Sequence, residues 1–215
     1  MARTHRLTIV AAVALASAAD SRAQTTWFVD DDAPSGGDGL SWASAFDDLQ
    51  PAMELALPGD AIWLAEGVYV PSVIDPIAGE DQPYFLMPDG VALLGGFRGD
   101  ETSADQRDPE TLESVISGDL LRNDLDVPVT GSLSSSDEMS ALYFSKIDNT
   151  GTLLFVDRTG PGTAIDGVVF EDAFTDDGSR ASPAARNGVF VLGSILDIRN
   201  CTFRENLGGI GGALY

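Results

Sequence analysis

After residue 26 the apolar residues gather in short runs that close on glycine, asparagine or aspartate. Trp27-Phe-Val29, Ala61-Ile-Trp-Leu-Ala65 and Val91-Ala-Leu-Leu-Gly-Gly-Phe97 come first. Ser114-Val-Ile-Ser-Gly-Asp119, Thr152-Leu-Leu-Phe-Val156, Val189-Phe-Val-Leu192 and Leu196 to Phe203 follow. Runs of this length, bounded by turn residues, predict strands. Glu66-Gly-Val-Tyr-Val70 predicts one more beyond a glycine turn, and Asp30 to Gly39 predicts a loop. One segment has a different period. Leu49, Met53, Leu55 and Ala56 fall near helical spacing, with Asp47 or Asp48 placed as N-cap, Pro51 in the first turn and Pro58-Gly59 as the stop. That pattern predicts a helix of about ten residues. No long helical period follows Leu57, so the class predicted is all-β.

Two of the runs repeat one frame. Ile165-Asp-Gly-Val-Val-Phe170-Glu-Asp-Ala173 matches Ile198-Arg-Asn-Cys-Thr-Phe203-Arg-Glu-Asn206 position by position, 33 residues apart. The shared order is aliphatic, any, Gly or Asn, small apolar, any, Phe. Strict alternation fails, because the apolar phase slips by one residue at Gly167 and at Asn200. A slip of phase needs a sharp bend, and a sharp bend needs a residue that tolerates positive φ, which glycine does freely and asparagine best among the others. Gly167 and Asn200 are therefore predicted at equivalent corners, with Ile165, Val168 and Phe170 inside one coil and Ile198, Cys201 and Phe203 inside another. Coils of short strands joined by tight corners are the logic of a parallel β-helix.

Several segments add a resemblance. Asp30 to Trp42, Phe46 to Tyr69, Gly90 to Phe97, Asp105-Gln-Arg-Asp108 and Ser117-Gly-Asp119 together resemble the start of bacterial right-handed parallel β-helix proteins, the pectin-lyase-like superfamily. The resemblance covers most of residues 27 to 215, with Asp75 to Pro88 and Leu121 to Met139 read as insertions. It implies a right-handed solenoid with a short N-terminal capping helix over its open end. The expected division is a signal peptide over 1–23, a cap and first coil over 24–70, and coils with loop insertions over 71–215. Phe203-Arg-Glu-Asn206 and Gly211-Gly-Ala-Leu214 are also similar to repeats of polymorphic outer-membrane adhesins. At the end of the chain, Gly208 to Gly212 is read as the turn out of one coil and Ala213-Leu-Tyr215 as the first strand of the next. A coil left open there makes the chain read as a fragment.

Composition and charge narrow the use of such a fold. Basic MARTHR, the 13-residue small-apolar run Leu7 to Ala19, and small residues at Ser21 and Ala23 have the pattern of a secretory leader cleaved after Ala23. The run is too short to cross a bilayer, which takes about 20 residues. The chain carries 34 acidic and 12 basic residues, a net charge of −22. Cleavage would remove three arginines and one aspartate, leaving it more acidic still. A field of that sign repels nucleic acid and anionic membrane. The only histidine is His5, within the leader, and the only cysteine is Cys201. The exported chain therefore lacks the residues for a Ser-His-Asp or Cys-His system, a zinc site of His/Cys type, or an internal disulfide.

Candidate chemistry is sparse. Asp30, Asp31, Asp32 and Asp38 form the candidate metal site, for Ca²⁺, because hard cations take several carboxylate oxygens from a flexible loop. The loop lacks the Asp-x-Asp-x-Asp-Gly ladder of a calcium loop and reads more readily as a solvated turn, and Asp119, Asn123, Asp124 and Asp126 form a second cluster of this kind. The glycines after Phe203 precede no helix, as a phosphate cradle requires. The superfamily resemblance implies polysaccharide cleavage, by elimination with an arginine or lysine base or by hydrolysis with two opposed carboxylates. Lys146 and the arginines sit in no matching lyase motif. Trp27, Trp42 and Trp63 are expected in the core rather than as sugar platforms. The function expected is an exported extracellular or outer-surface scaffold that binds glycan or cell-surface ligands without catalysis. The alternative is a polysaccharide lyase or glycoside hydrolase acting on acidic polysaccharide.

Overall fold

A computed structural model describes residues 22–72, 83–124, 145–146, 148–175, 188–207 and 213–214. Twelve strands and one α-helix make up the described architecture. The strands are β1 (Thr26–Val29), β2 (Ala61–Ala65), β3 (Gly67–Tyr69), β4 (Phe85–Leu86), β5 (Ala92–Phe97), β6 (Ser114–Ser117), β7 (Thr152–Asp157), β8 (Ala164–Asp166), β9 (Val168–Glu171), β10 (Gly188–Leu192), β11 (Asp197–Arg199) and β12 (Thr202–Arg204). The helix α1 spans Leu49–Leu55. Asp48 is its N-cap, accepting from Gln50 N at 2.8 Å, and Pro51 lies in the first turn where no amide is missed. The helix is shorter than its apolar spacing suggests, because Ala56 already has extended geometry.

The strands form three parallel sheets. The first has the order β1-β2-β5-β8-β11, the second β12-β9-β6-β3 and the third β10-β7-β4. The chain visits them in the same order on each pass: β2, β3, β4, then β5, β6, β7, then β8, β9, β10. Each strand lies one pass above its partner, and every named strand pair is parallel. The 33-residue frame is the pairing register itself, since Ile198 stands opposite Ile165 and Phe203 opposite Phe170.

The register stacks like on like. Ile62, Leu93, Ile165 and Ile198 form a column in the first sheet, and Tyr69, Ile116, Phe170 and Phe203 one in the second. Phe85, Leu154 and Val189 line the third. These join α1, through Leu49, Ala52 and Met53, in one buried core. The helix packs on β1 and β4, the first strands of the first and third sheets. In the last pass Cys201 and Phe203 are only partly buried against that core, and Ile198 is half-buried, since no described strand lies over β11 and β12.

Two expectations change. Phe85-Leu86, inside the stretch read as an insertion from Asp75 to Pro88, is a strand paired with β7. Two residues are too few to show a period. Leu214 bridges Val189 of β10, so this residue completes the third sheet of the β11-β12 pass instead of opening a new one. Gly208 to Gly212 and most of the stretch from Leu121 to Met139 lie outside the described residues.

A buried carboxylate holds the start of the stack. Asp60, 2% exposed, accepts from Thr25 N (2.8 Å), Leu57 N (3.0 Å) and Trp27 Nε1 (3.3 Å), donors that stay after cleavage at Ala23, whereas Arg22, which also pairs with it, would leave with the leader. Burial acts to raise its pKa, but these donors more than reverse that and hold it below the ordinary aspartate value. A folded pKa below the unfolded one contributes stability that is complete above about pH 5 and lost as pH falls through the folded value. Asp60→Asn is expected to lower stability at pH 7 by about 1–3 kcal/mol, with the gap from wild type closing below about pH 4. Urea unfolding across pH checks this; a gap that stays constant would show that the charge contributes nothing. In the columns, Phe170→Ala is expected to cost about 3–5 kcal/mol, and half-buried Phe203→Ala clearly less, by the same unfolding assay.

Candidate ligand cleft at the corner of the first and second sheets

Between β8 and β9 the chain turns on one residue, Gly167, at φ +77°, and one pass later Asn200 takes the same part at φ +49°. Both corners are where the phase of the apolar pattern placed them. Gly167 meets a second demand, because an added Cβ would lie 2.8 Å from Arg107 Nη1 and 2.8 Å from Pro109 Cβ. Arg107 reaches the corner from the excursion 98–113 between β5 and β6. Its Nη1 donates to Gly95 O (3.2 Å) and Asp166 O (3.1 Å), and its Nη2 lies 2.8 Å from Asp166 Oδ2. Asn200 Nδ2 donates to Asp166 Oδ1 at 2.8 Å. Burial would raise the Asp166 carboxyl, yet Arg107 and Asn200 hold it below the ordinary range. One polar chain thus crosses three successive passes.

Beside it lies a cleft of about 650 Å³. The excursion contributes Asp108, Pro109 and Glu110, the strands contribute Val169 and Thr202, and Cys201 lies between β11 and β12. Glu113, at the margin, is held by Arg204 through two bonds of 3.0 Å, and Arg204 Nε reaches Glu171 at 2.6 Å. Those carboxylates, Glu113 first, raise the Arg204 pKa despite some burial, while burial raises that of Glu171. The Cys201 thiol donates to Arg199 O at 3.1 Å, and burial raises its pKa, so it is a poor nucleophile.

The four aspartates expected as a metal site are directed to separate partners. Asp30 Oδ1 accepts from Asp32 N (3.1 Å), and Asp31 Oδ2 accepts from Val68 N (3.0 Å). Asp38 Oδ1 accepts from Ser44 Oγ (2.6 Å) and Leu40 N (3.1 Å), which lowers its pKa, Ser44 contributing most. Of these, Asp30 and Asp38 accept within their own turns, and Asp31 joins the loop to β3. Among the described residues no group of three or more His, Cys, Asp or Glu is gathered as a metal would need.

In the second acidic stretch, Asp119 accepts from Asn123 N (3.1 Å) and Asp124 N (2.9 Å), and Asp126 lies outside the described residues. Asp124 turns inward to Lys146, the single lysine of the chain, which is 5% exposed. Lys146 Nζ lies 2.8 Å from Asp124 and 2.6 Å from Asp172, and Asn149 Nδ2 joins them by bonding Asp124 Oδ2 at 2.8 Å. Burial acts to lower the lysine pKa, and the two carboxylates more than reverse it. Lys146 is thus an internal counter-ion at the exit from the second sheet, remote in role from any lyase base.

The tryptophans pack as core residues. Trp63 stacks on Phe97 at 4.5 Å, with Trp42 5.7 Å from the same ring and its Nε1 bonded to Glu101 O (3.0 Å). Trp27 stacks on Phe46 at 6.0 Å. Comparisons of the chain with family models, curated proteins and solved structures give no match.

Lys146→Met leaves Asp124 and Asp172 buried without their cation, and is expected to destabilise by about 3–5 kcal/mol. Adding Asp172→Asn in the same chain is expected to recover part of the loss. Chemical denaturation of both variants checks the pair, and an additive double variant would rule out the coupling.

Proposed function

We propose that the chain is an exported right-handed parallel β-helix scaffold that binds glycan or another surface ligand at the corner cleft without cleaving it. The observation that carries this reading is the constant order of sheets on every pass. It extends one lateral surface along the stack and leaves the cleft where an excursion folds back on it. The capping role of α1 rests on its packing against the first strands of two sheets. Export rests on the leader pattern of residues 1–23 and on the acidic, lysine-poor composition.

Binding is favoured over cleavage by the state of the charged groups. Elimination needs an arginine or lysine free to take a proton, and hydrolysis needs two carboxyl groups aimed across a gap. At the cleft Arg107 and Arg204 already donate to carboxylates, Glu113 and Glu171 are tied to one arginine, and the two freer carboxylates, Asp108 and Glu110, lie two residues apart on the same excursion. The test is to incubate the secreted protein with pectate and neutral polysaccharides, with calcium, and assay unsaturated and reducing ends alongside retention on the immobilised polymers. Retention without product is expected. Product release above that of heat-denatured protein would replace this reading with the lyase or glycosidase one.

A further inference from the structure

Resting on the cleft as the ligand site, we infer that it selects neutral, hydroxyl-rich glycan chains and turns away uronate-bearing ones. Three cations stand near the cleft, and all are paired: Arg199, whose charge acts on Asp166, is held by Asp197. The guanidinium of Arg107 spends Nη1 on two backbone carbonyls and Nη2 on Asp166. Arg204 spends Nε on Glu171 and both terminal nitrogens on Glu113. A uronate entering here finds no unpaired cation among the described residues. It would have to break the Arg204 pairs, leaving half-buried Glu171 without its partner.

What remains available is of one kind. The Glu110 carboxylate, the Asn200 Oδ1 and the Thr202 hydroxyl make no hydrogen bond to described residues, and all three residues are exposed at the cleft. Asp108 uses one carboxylate oxygen, Oδ1, to hold Glu110 N at 3.3 Å. Acceptors outnumber donors, which suits a ligand that brings its own O–H groups. Half-buried Pro109 supplies apolar surface for the C–H face of a sugar ring. The cleft volume of about 650 Å³ falls within the usual range for small-ligand sites. The whole-chain charge of −22 opposes a polyanion in the same direction at longer range.

The exported chain is tested by affinity electrophoresis through gels containing xylan, β-glucan, galactomannan or polygalacturonate. Retardation by at least one neutral polymer is expected, with apparent affinity at least tenfold weaker for polygalacturonate. Thr202→Tyr, which fills the cleft from an exposed strand position, is expected to weaken neutral-polymer binding at least tenfold with an unchanged unfolding midpoint. Glu110→Lys installs an unpaired cation and is expected to narrow the difference between polymers.

Tighter binding of polygalacturonate than of every neutral polymer would overturn the selectivity while leaving glycan binding intact. Neutral-polymer binding unaffected by both substitutions would remove the cleft as the site. Failure to bind any polymer, or capture of oligolysine in place of glycan, would overturn both the selectivity and the glycan reading beneath it.

Discussion

Between β8 and β9 the first sheet hands over to the second within a single residue, and the columns and the cleft beside them depend on that turn. Side chains alternate along a strand, so a corner of one residue at positive φ resets the alternation. Ile165 then points inward before Gly167, and Val168 and Phe170 point inward after it, all fully buried. Without the reset, the second strand would present Val169 to the core and Phe170 to water. Asn200 repeats the solution one pass later, and its amide does what a glycine cannot, bonding back to Asp166. The corner therefore sets both the inner columns and the outward direction of Asp166, and through Asp166 the place of Arg107 and the cleft.

Excursions are distributed by the same constraint. Connections from the third sheet to the first are short, over 87–91, 158–163 and 193–196, and the described excursion from the first sheet to the second runs over 98–113. A parallel ladder is completed by strands, so length added between strands disturbs no backbone pair. The long connection after β6 is nevertheless fixed where it leaves and returns, through Asp119, Asp124 and Lys146. A charge is placed inside the protein there because two carboxylates and an amide surround it.

The strands, the helix cap at Asp48 and the two corners were legible because each is a local pattern, and the 33-residue frame proved to be the register of β11 on β8 and β12 on β9. β4 was not legible, since two residues carry no period. Nor was the cleft: Arg107 and Asp166 are 59 residues apart, and nothing near either announces the other. Lys146 carried a signal that went unused, since the sole lysine of so acidic a chain is a natural internal counter-ion. The aspartates at 30–32 and 38 show the opposite case. Adjacent carboxylates look alike in sequence whether they hold a cation or cap a turn, and the donors around Asp31 and Asp38 appear only in the fold.

Scarcity explains where the cations went. Ladder hydrogen bonds join each pass to the next, but they do not hold an excursion against the strands. Arg107, Lys146 and Arg204 do so, reaching partners 59, 26 and 91 residues away. In a chain with 12 basic and 34 acidic residues, cations placed in such joints are not available to the surface. At the cleft the side chains left unpaired are carboxylates, hydroxyls and amides. The charge economy that holds the excursions in place thus also sets which ligands the surface can attract, since recognition there has to run through hydrogen bonding rather than through counter-charge.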